Sequence, residues 1–210
     1  MRLALMSDIH GNIQALDACL QHAQAQRAQH FAFLGDLVGY GAQPAGVLEC
    51  IMALQAEGAL VLRGNHEQVT LAPPSAVQQM GDMGAQWTHQ QLSAQQRDWL
   101  AQLPLTHDLG GVLLVHASVN EPERWRYVDS PFAATASLDA ARAWPQARYV
   151  FGGHVHRNNA EGQVLVTHFA PTRVRDQRCK CILIWPGLNG FAQIRIGLRG
   201  LAGHSRKQWQ

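Results

Sequence analysis

No apolar stretch in this 210-residue chain approaches the roughly 18–20 residues that a membrane-crossing helix needs. The N-terminus carries one arginine, then a short apolar run, Leu3–Met6, that soon meets an acid at Asp8. It lacks the longer apolar core and small-residue cleavage site of a secretory signal. These absences exclude a membrane partner and point to a cytoplasmic protein. Cysteine is sparse: Cys19, Cys50, Cys179 and Cys181 fit reduced thiols better than a disulfide framework. Cys179-Lys180-Cys181 has no zinc-binding spacing. Charged residues make up 15% of the chain and the net charge is +2, but acids are missing altogether after Asp176. From Pro171 onward eight Lys and Arg face that single acid, a surplus of seven against a deficit of five elsewhere. A basic end can bind nucleic acid, but charge alone supports that here, and nucleic acid is not the expected partner.

What is present is a 47% hydrophobic composition in a length that suits one domain with a sizeable core. Arg2–Met6 reads as a strand. Asn12–Gln26 reads as a helix, with Ile13, Leu16, Leu20 and Ala23 near helical spacing. Phe31–Leu34 is a second strand, ending in Gly35-Asp36. Pro44 opens an expected helix that buries Val47, Leu48, Ile51 and Leu54. Leu60–Leu62 is a third strand, ending in Arg63-Gly64-Asn65-His66-Glu67. This alternation predicts an α/β domain with a largely parallel sheet. Ser75–Gln91 and Ser93–Gln102 then read as two successive helices, the second with a Ser93/Gln96 capping box and Pro104 as its stop. Thr106–Leu109 and Val112–Val115 suit a hairpin across Gly110-Gly111. Pro131–Trp144 reads as a helix, and Tyr149–Phe151 as a strand ending in Gly152-Gly153-His154-Val155-His156. Trp87, Trp99 and Trp144 are expected in the core.

Five apolar strands thus run into polar residues: Asp8 and His10, Asp36, Asn65 and His66, His116, and His154 with His156. Ligands in open α/β sheets gather beyond the carboxyl ends of strands, so these residues are placed to converge. On an extended backbone side chains two apart share a face, which would let Asp8 and His10 grip one ion. One histidine at a strand end is usually a hydrogen-bonded structural residue; five such coincidences are far less ordinary. Carboxylate, imidazole and amide oxygen together suit Mn²⁺, Fe²⁺, Zn²⁺ or Co²⁺. The ligand number suggests two ions, with Asp36 as a bridge. Two ions about 3.5–4 Å apart activate water and stabilise an in-line displacement, which fits phosphoester hydrolysis.

The series Asp8-Ile9-His10, Gly35-Asp36, Gly64-Asn65-His66-Glu67, His116 and Gly153-His154-Val155-His156 resembles the calcineurin-like metallophosphoesterase superfamily. LGDLVGYGAQP and LRGNHE resemble its small bacterial and archaeal branch. The resemblance implies a two-sheet sandwich flanked by helices, with a helical insertion and an atypical C-terminal end. It implies a dinuclear metal-dependent phosphoesterase that hydrolyses phosphodiester or phosphomonoester bonds by attack of a metal-bridging hydroxide. Two divalent metal ions are the implied cofactors. Asp8, His10 and His156 would hold one; Asn65, His116 and His154 the other; Asp36 would bridge them. His66 would position phosphate and protonate the leaving oxygen, help worth about 10²–10⁴-fold.

Protein Ser/Thr phosphatases of the superfamily carry an acid and an arginine where this chain has Gly39 and Tyr40, so that activity is not expected. Val155 replaces the usual Thr or Ser between the last two ligands and is expected to face away from them. Arg124, Trp125, Arg126 and Tyr127 combine two guanidiniums with two aromatics, a set able to hold a phosphate and a base. A solvated loop with Trp125 against the core is an equal alternative. The expected partner is a small phosphoester substrate of nucleotide-like character. A non-catalytic interaction module on the same fold is the alternative function, but such scaffolds usually lose the catalytic histidine or a ligand, and here all are intact.

The resemblance covers roughly the first 170 residues. Residues 1–170 are expected as the metallophosphoesterase domain, and 171–210 as an atypical basic segment, an incomplete second sheet followed by a disordered tail. Lys180–Trp185 and Phe191–Ile196 are strand-like, whereas Gly197–Gln210 has no periodic apolar pattern. A diverged or frame-altered end and a genuine variable hairpin are both compatible with this text.

Overall fold

A computed structural model of the protein describes residues 2–156 and, as backbone, residues 159–161, 164–166, 183–185 and 195–196. The chain opens with β1 (Leu3–Met6), α1 (Ile13–Ala25), β2 (His30–Phe33), α2 (Pro44–Ala56) and β3 (Leu60–Val61). Three helices follow, α3 (Asn65–Leu71), α4 (Met80–Gln91) and α5 (Ala94–Gln102), then β4 (Thr106–Asp108) and β5 (Val112–Val115). A 3-10 turn at Pro122–Arg124 precedes α6 (Pro131–Ala141) and β6 (Tyr149–Gly152). The last strands are β7 (Asn159–Glu161), β8 (Val164–Val166), β9 (Leu183–Trp185) and β10 (Arg195–Ile196).

Two five-stranded sheets result, in the orders β10-β9-β1-β2-β3 and β4-β5-β6-β8-β7. The centres are parallel, β1 with β2 and β3 beyond it, and β5 with β6 and β8. The outer pairings of β4, β7, β9 and β10 are antiparallel. Alternation along each central strand sorts its side chains into two layers. Leu3 and Leu5 meet Ala32, Leu34, Val112, Leu114 and Phe151 in a core between the sheets. Ala4 and Met6 point the other way, onto Leu16, Cys19, Ala23, Val47, Leu48 and Ile51 of α1 and α2. Leu113, Val115 and Val150 face Ala141 and Trp144 at α6. The molecule is therefore the expected two-sheet α/β sandwich with helices on both faces and a helical insertion, α3 to α5, between β3 and β4 in the chain. Among the described residues no helix is long and apolar enough to cross a membrane.

Local chemistry explains the element ends. The Asn12 side chain caps α1 by accepting from the Ala15 amide at 2.9 Å. Ser93 and Gln96 form the expected reciprocal box at α5. The sequence reading differs from the structure at several points. It missed α3, a seven-residue helix that starts inside the RGNHE text taken as a strand exit. It opened α4 at Ser75, but Ser75–Gln79 is bends and irregular backbone, and Asp82 starts the helix at Met80 by accepting from the Gln78 and Gln79 amides. Trp87 is not core: α4 turns Asp82, Ala85 and Thr88 inward, leaving Trp87 41% exposed beside Met83. Trp99 and Trp144 do pack on core clusters. Among the described residues Cys50 is a free thiol. The strand-like runs Lys180–Trp185 and Phe191–Ile196 supply β9 and β10, which join the first sheet through β1. Gly197–Gln210, expected as a disordered tail, lies outside the described residues.

Glycines supply a test of this packing. A Cβ on Gly84, inside α4, would meet nothing within 4 Å, whereas one on Gly41 would lie 2.0 Å from the His10 carbonyl oxygen. Gly84→Ala is expected to raise stability by up to about 1 kcal/mol through helix propensity. Gly41→Ala is expected to cost about 1–3 kcal/mol by overpacking two loops. Thermal unfolding reads both, as shifts of opposite sign.

Candidate metal centre

The site is built where the parallel strands stop. Beyond β1 and β2 the ladder continues between loops, with Asp8 N–H donating to the Gly35 carbonyl at 3.0 Å and His10 N–H to that of Asp36 at 2.9 Å. Asp8 and His10 do not sit on extended backbone, as the two-residue spacing had suggested. Both are left-handed, at φ 57° and 52°, as are Asp36 at 52°, His154 at 70° and His156 at 54°. Left-handed backbone at non-glycine residues is uncommon and concentrates at functional sites. Here it turns each side chain back over the strand ends.

Two groups of ligand-type atoms result: Asp8, His10, Asp36 and His156, and Asp36, His116 and His154, with the atoms of each group within 4.8 Å of one another. Asp36 belongs to both. Asn65, the first residue of α3, brings its Oδ1 to 3.0 Å from His116 Nε2. All the proposed ligands are thus brought together. Their main chains are gathered as well, since the His154 N–H donates to both Asp8 oxygens at 3.1 Å and the His66 N–H to Asp36 Oδ1 at 2.9 Å.

The hydrogen bonds fix which nitrogens are free. A carbonyl only accepts, so His10 Nδ1 donates to Val38 at 3.1 Å, and His116 Nδ1 to Leu34 at 2.8 Å. His154 uses the opposite nitrogen, Nε2 donating to the Trp125 carbonyl at 2.9 Å. Lone pairs are left at Nε2 of His10 and at Nδ1 of His154, while His116 Nε2 donates to the Asn65 Oδ1 and Asp36 acceptors that face it, and orienting bonds of this kind are typical of metal-ligating histidines. His10 Nε2 and His156 Nε2 lie 3.3 Å apart, and Asp36 Oδ2 is 3.3 Å from His116 Nε2 and 3.9 Å from His10 Nε2. Nitrogen lone pairs and carboxylate oxygens crowded at these distances fit a bound cation.

The electrostatics agree. Burial pushes His10 down to about 4, against the pull of Asp36 and Asp8. Burial also pushes His116 down, but the adjacent Asp36 charge and hydrogen bond override it and lift the ring to about 9. Burial would raise Asp36, yet His116 holds its carboxyl well below the usual range. Asp8 is likewise lowered despite burial, by its hydrogen bond with His156. Protons on imidazole here do what a metal ion would do, which is to balance two buried carboxylates.

At the rim, His66 packs edge-on to His10 at 4.8 Å between ring centroids, and Tyr40 covers both rings at 4.4 and 4.8 Å. Burial lowers the His66 pKa. Gly39 lies so close that a Cβ there would stand 2.3 Å from His66 Nδ1, which leaves no room for an acid at that position. On the other side Tyr127 stacks on His154 at 4.2 Å, and Trp125 meets His116 edge-on at 5.8 Å. Arg124 and Arg126 are exposed and both join Glu121, so the structure places them on the rim as an ion-paired cluster. Val155 packs outward against the core beside α6, as expected.

Sequence reasoning gave no role to Glu67. It is fully buried, and its carboxylate accepts from the amides of Asp36, Leu37, Val38 and Gly64. Burial, with the neighbouring Asp36 charge, pushes it up to about 7 against those four bonds. Its place three residues after Gly64, as in a capping box, was the available signal.

Comparison with known proteins places this geometry. The uncharacterized protein MJ0912 of Methanocaldococcus jannaschii is 29% identical over 173 residues, spanning 78% of this chain and 67% of that one. The crystal structure of a metallophosphoesterase from Sphaerobacter thermophilus is similar with a TM-score of 0.65 and 25% identity, over 79% of this chain and 75% of that one. A structure provisionally named a diadenosine tetraphosphatase shares the fold, with a TM-score of 0.55 and 22% identity over 90% of this chain and 95% of that one. The family model described as calcineurin-like phosphoesterase matches residues 1–176, which takes in every element from β1 to β8. The chain belongs to the calcineurin-like phosphoesterase family and is a metal-dependent phosphoester hydrolase.

Proposed function

We propose that the protein hydrolyses small phosphodiesters or phosphomonoesters with a planar, nucleotide-like leaving group at a centre of two divalent ions. The observation that carries this is the sharing of Asp36 between two ligand groups. Asp8, His10 and His156 would hold one ion and Asn65, His116 and His154 the other, with Asp36 the residue common to both groups. Two such ions supply Lewis acidity at the phosphoryl oxygens and an activated water as nucleophile. Mn²⁺, Fe²⁺, Zn²⁺ and Co²⁺ all suit this mixed oxygen and nitrogen donor set.

The chain's own groups do the rest. His66 stands beside the cluster without a bond to it through its ring, and is the group to protonate the leaving oxygen. Burial lowers its pKa, so a protonated His66 gives up its proton readily. Tyr40 and Tyr127 are 65% and 58% exposed and pack on His66 and His154, one on each side of the cluster. Their free faces suit stacking with a base or aryl ring. The structural neighbour provisionally named a diadenosine tetraphosphatase supports a nucleotide-like substrate.

Three outcomes are expected. Thorough chelation abolishes phosphoester hydrolysis and Mn²⁺ or another transition metal restores it, while Asp36→Asn, whose neutral amide bridges poorly, is the most damaging ligand change. Undiminished turnover by metal-free protein overturns the reading. His66→Ala keeps metal binding and loses about 10²–10⁴-fold in kcat with alkoxide leaving groups. The loss is much smaller with nitrophenolate, which needs little protonation; equal losses leave His66 with phosphate positioning alone. Tyr40→Ala and Tyr127→Ala each raise KM for aryl or nucleoside esters by about 5–100-fold, the worth of one stacked ring, and leave methyl esters nearly unchanged. Steady-state kinetics on matched ester pairs decide the last point.

A further inference from the structure

The β2–β3 ladder is only two residue pairs long, Ala32 with Leu60 and Phe33 with Val61, followed by one bond from the Leu62 amide to the Phe33 carbonyl. Beyond it the two chains are loops, yet they come closer together than side chains permit. A Cβ on Gly64 would lie 2.3 Å from Asp36 Oδ1, and one on Gly35 would lie 2.7 Å from the Gly64 nitrogen. Among the described residues no main-chain hydrogen bond joins the loops beyond Leu62, and the His66 N–H to Asp36 Oδ1 bond links them through a side chain.

We propose that Glu67 is the positioning residue that holds them, so that the ligand shared by both metal groups and the acid histidine keep one fixed geometry. This rests on the metal-centre reading given above. Glu67 Oε2 accepts from the Asp36 amide at 2.8 Å and the Gly64 amide at 2.7 Å. Oε1 accepts from Leu37 at 2.8 Å and Val38 at 3.2 Å. One oxygen therefore spans the gap between the loops, and the other completes the turn.

The turn needs such a group. Asp36 is left-handed at φ 52°, and the next two amides point inward with it. Successive inward amides form a concavity that binds anions. Leu37 and Val38 are fully buried, so their amides require an acceptor within the protein. A carboxylate is the side chain with two oxygens and about four acceptor sites.

What Glu67 holds is the working part of the site. The Asp36 amide fixed by Oε2 belongs to the residue whose Oδ1 accepts from His66 N–H, and whose Oδ2 faces His116 and His10. The Val38 amide fixed by Oε1 belongs to the residue whose carbonyl orients His10. Asn65 and His66 lie between Gly64 and Glu67. The hydrogen bonds of the Glu67 carboxylate run to main-chain amides, so it acts through these neighbours.

Glu67→Gln tests this, because it keeps the volume but turns an NH₂ toward two amide donors. Mn²⁺ affinity, read by competition with a chromogenic chelator, is expected to fall roughly 10–100-fold, the usual effect of losing a group that orients metal ligands. The kcat at saturating Mn²⁺ should fall too, with KM for a small ester little changed. Glu67→Asp, which keeps both oxygens on a shorter arm, should lie between Gln and the wild type. A folded Gln variant whose Mn²⁺ affinity and kcat stay within twofold of wild type overturns the proposal and leaves Glu67 as a stability residue. Should neither variant fold, amide exchange in the wild type decides. Asp36, Leu37, Val38 and Gly64 should exchange as slowly as β1 and β2, and fast exchange there overturns the proposal. A wild type that binds Mn²⁺ but cleaves no phosphoester refutes the substrate reading, while the affinity ratio still judges Glu67.

Discussion

The Asp36 carboxylate sets the terms for the whole site. It is buried to 1% exposure within reach of His10, His116 and the His66 main chain. An isolated carboxylate in such a place would cost several kcal/mol in lost hydration and would take up a proton instead. It does not, because positive charge is held around it, and the opposed shifts of Asp36 and His116 are two sides of that balance. A proton on one ring satisfies one direction only. The other lone pairs, on His10, His154 and the second Asp36 oxygen, face the same space, and a divalent ion answers several of them at once. The donor set and its burial are thus one constraint: a site this dry and this anionic is stable when a cation completes it.

Meeting that constraint takes more than side chains. Five of the ligand-type residues are left-handed, a conformation that costs non-glycine residues about 1–3 kcal/mol each. Two well-packed sheets hold them there, since the strands that end at Asp8, Asp36, His116 and His154 have their apolar faces locked in the cores. Glycine appears where the loops nearly touch, at Gly35, Gly41 and Gly64, and side chains there would collide with backbone or ligand atoms. The rigid part of the fold supports strain at its edge, and that strain aims the ligands.

This division explains what the sequence disclosed. The strand runs, the cap at Ser93 and the convergence of the ligand-type residues were legible because each is written in side-chain type and period. The manner of convergence was not. Asp8 and His10 were assigned to one face of an extended strand, and they meet instead through left-handed turns, which an Asp or His does not announce. The carbonyls of Val38, Leu34 and Trp125, which choose the tautomers, carry no signal at all, because every residue has one. The short helix α3 was hidden by the motif that opens it, and Trp87 was assigned to the core on its type, though its helix turns it outward.

The Gly39-Tyr40 step shows how one loop settles both partners of His66. Because Gly39 backs onto His66 Nδ1, no carboxylate can stand there to orient the ring. Orientation falls instead to packing: His10 meets the ring edge-on and Tyr40 covers it at 4.4 Å. Tyr40 is itself left-handed at φ 59°, an uncommon conformation for a bulky residue, imposed by the turn between Gly39 and Gly41. A phenol that is exposed, strained and tilted against the His66 ring has a face toward solvent and no strong charge to offer a phosphate. An arginine in its place would bind phosphate as a fork; tyrosine instead presents an aromatic face. The substitution that removes the protein-phosphatase arrangement is therefore the same one that makes the mouth of the site aromatic, and both follow from a loop that must pass close enough to His66 to exclude a Cβ.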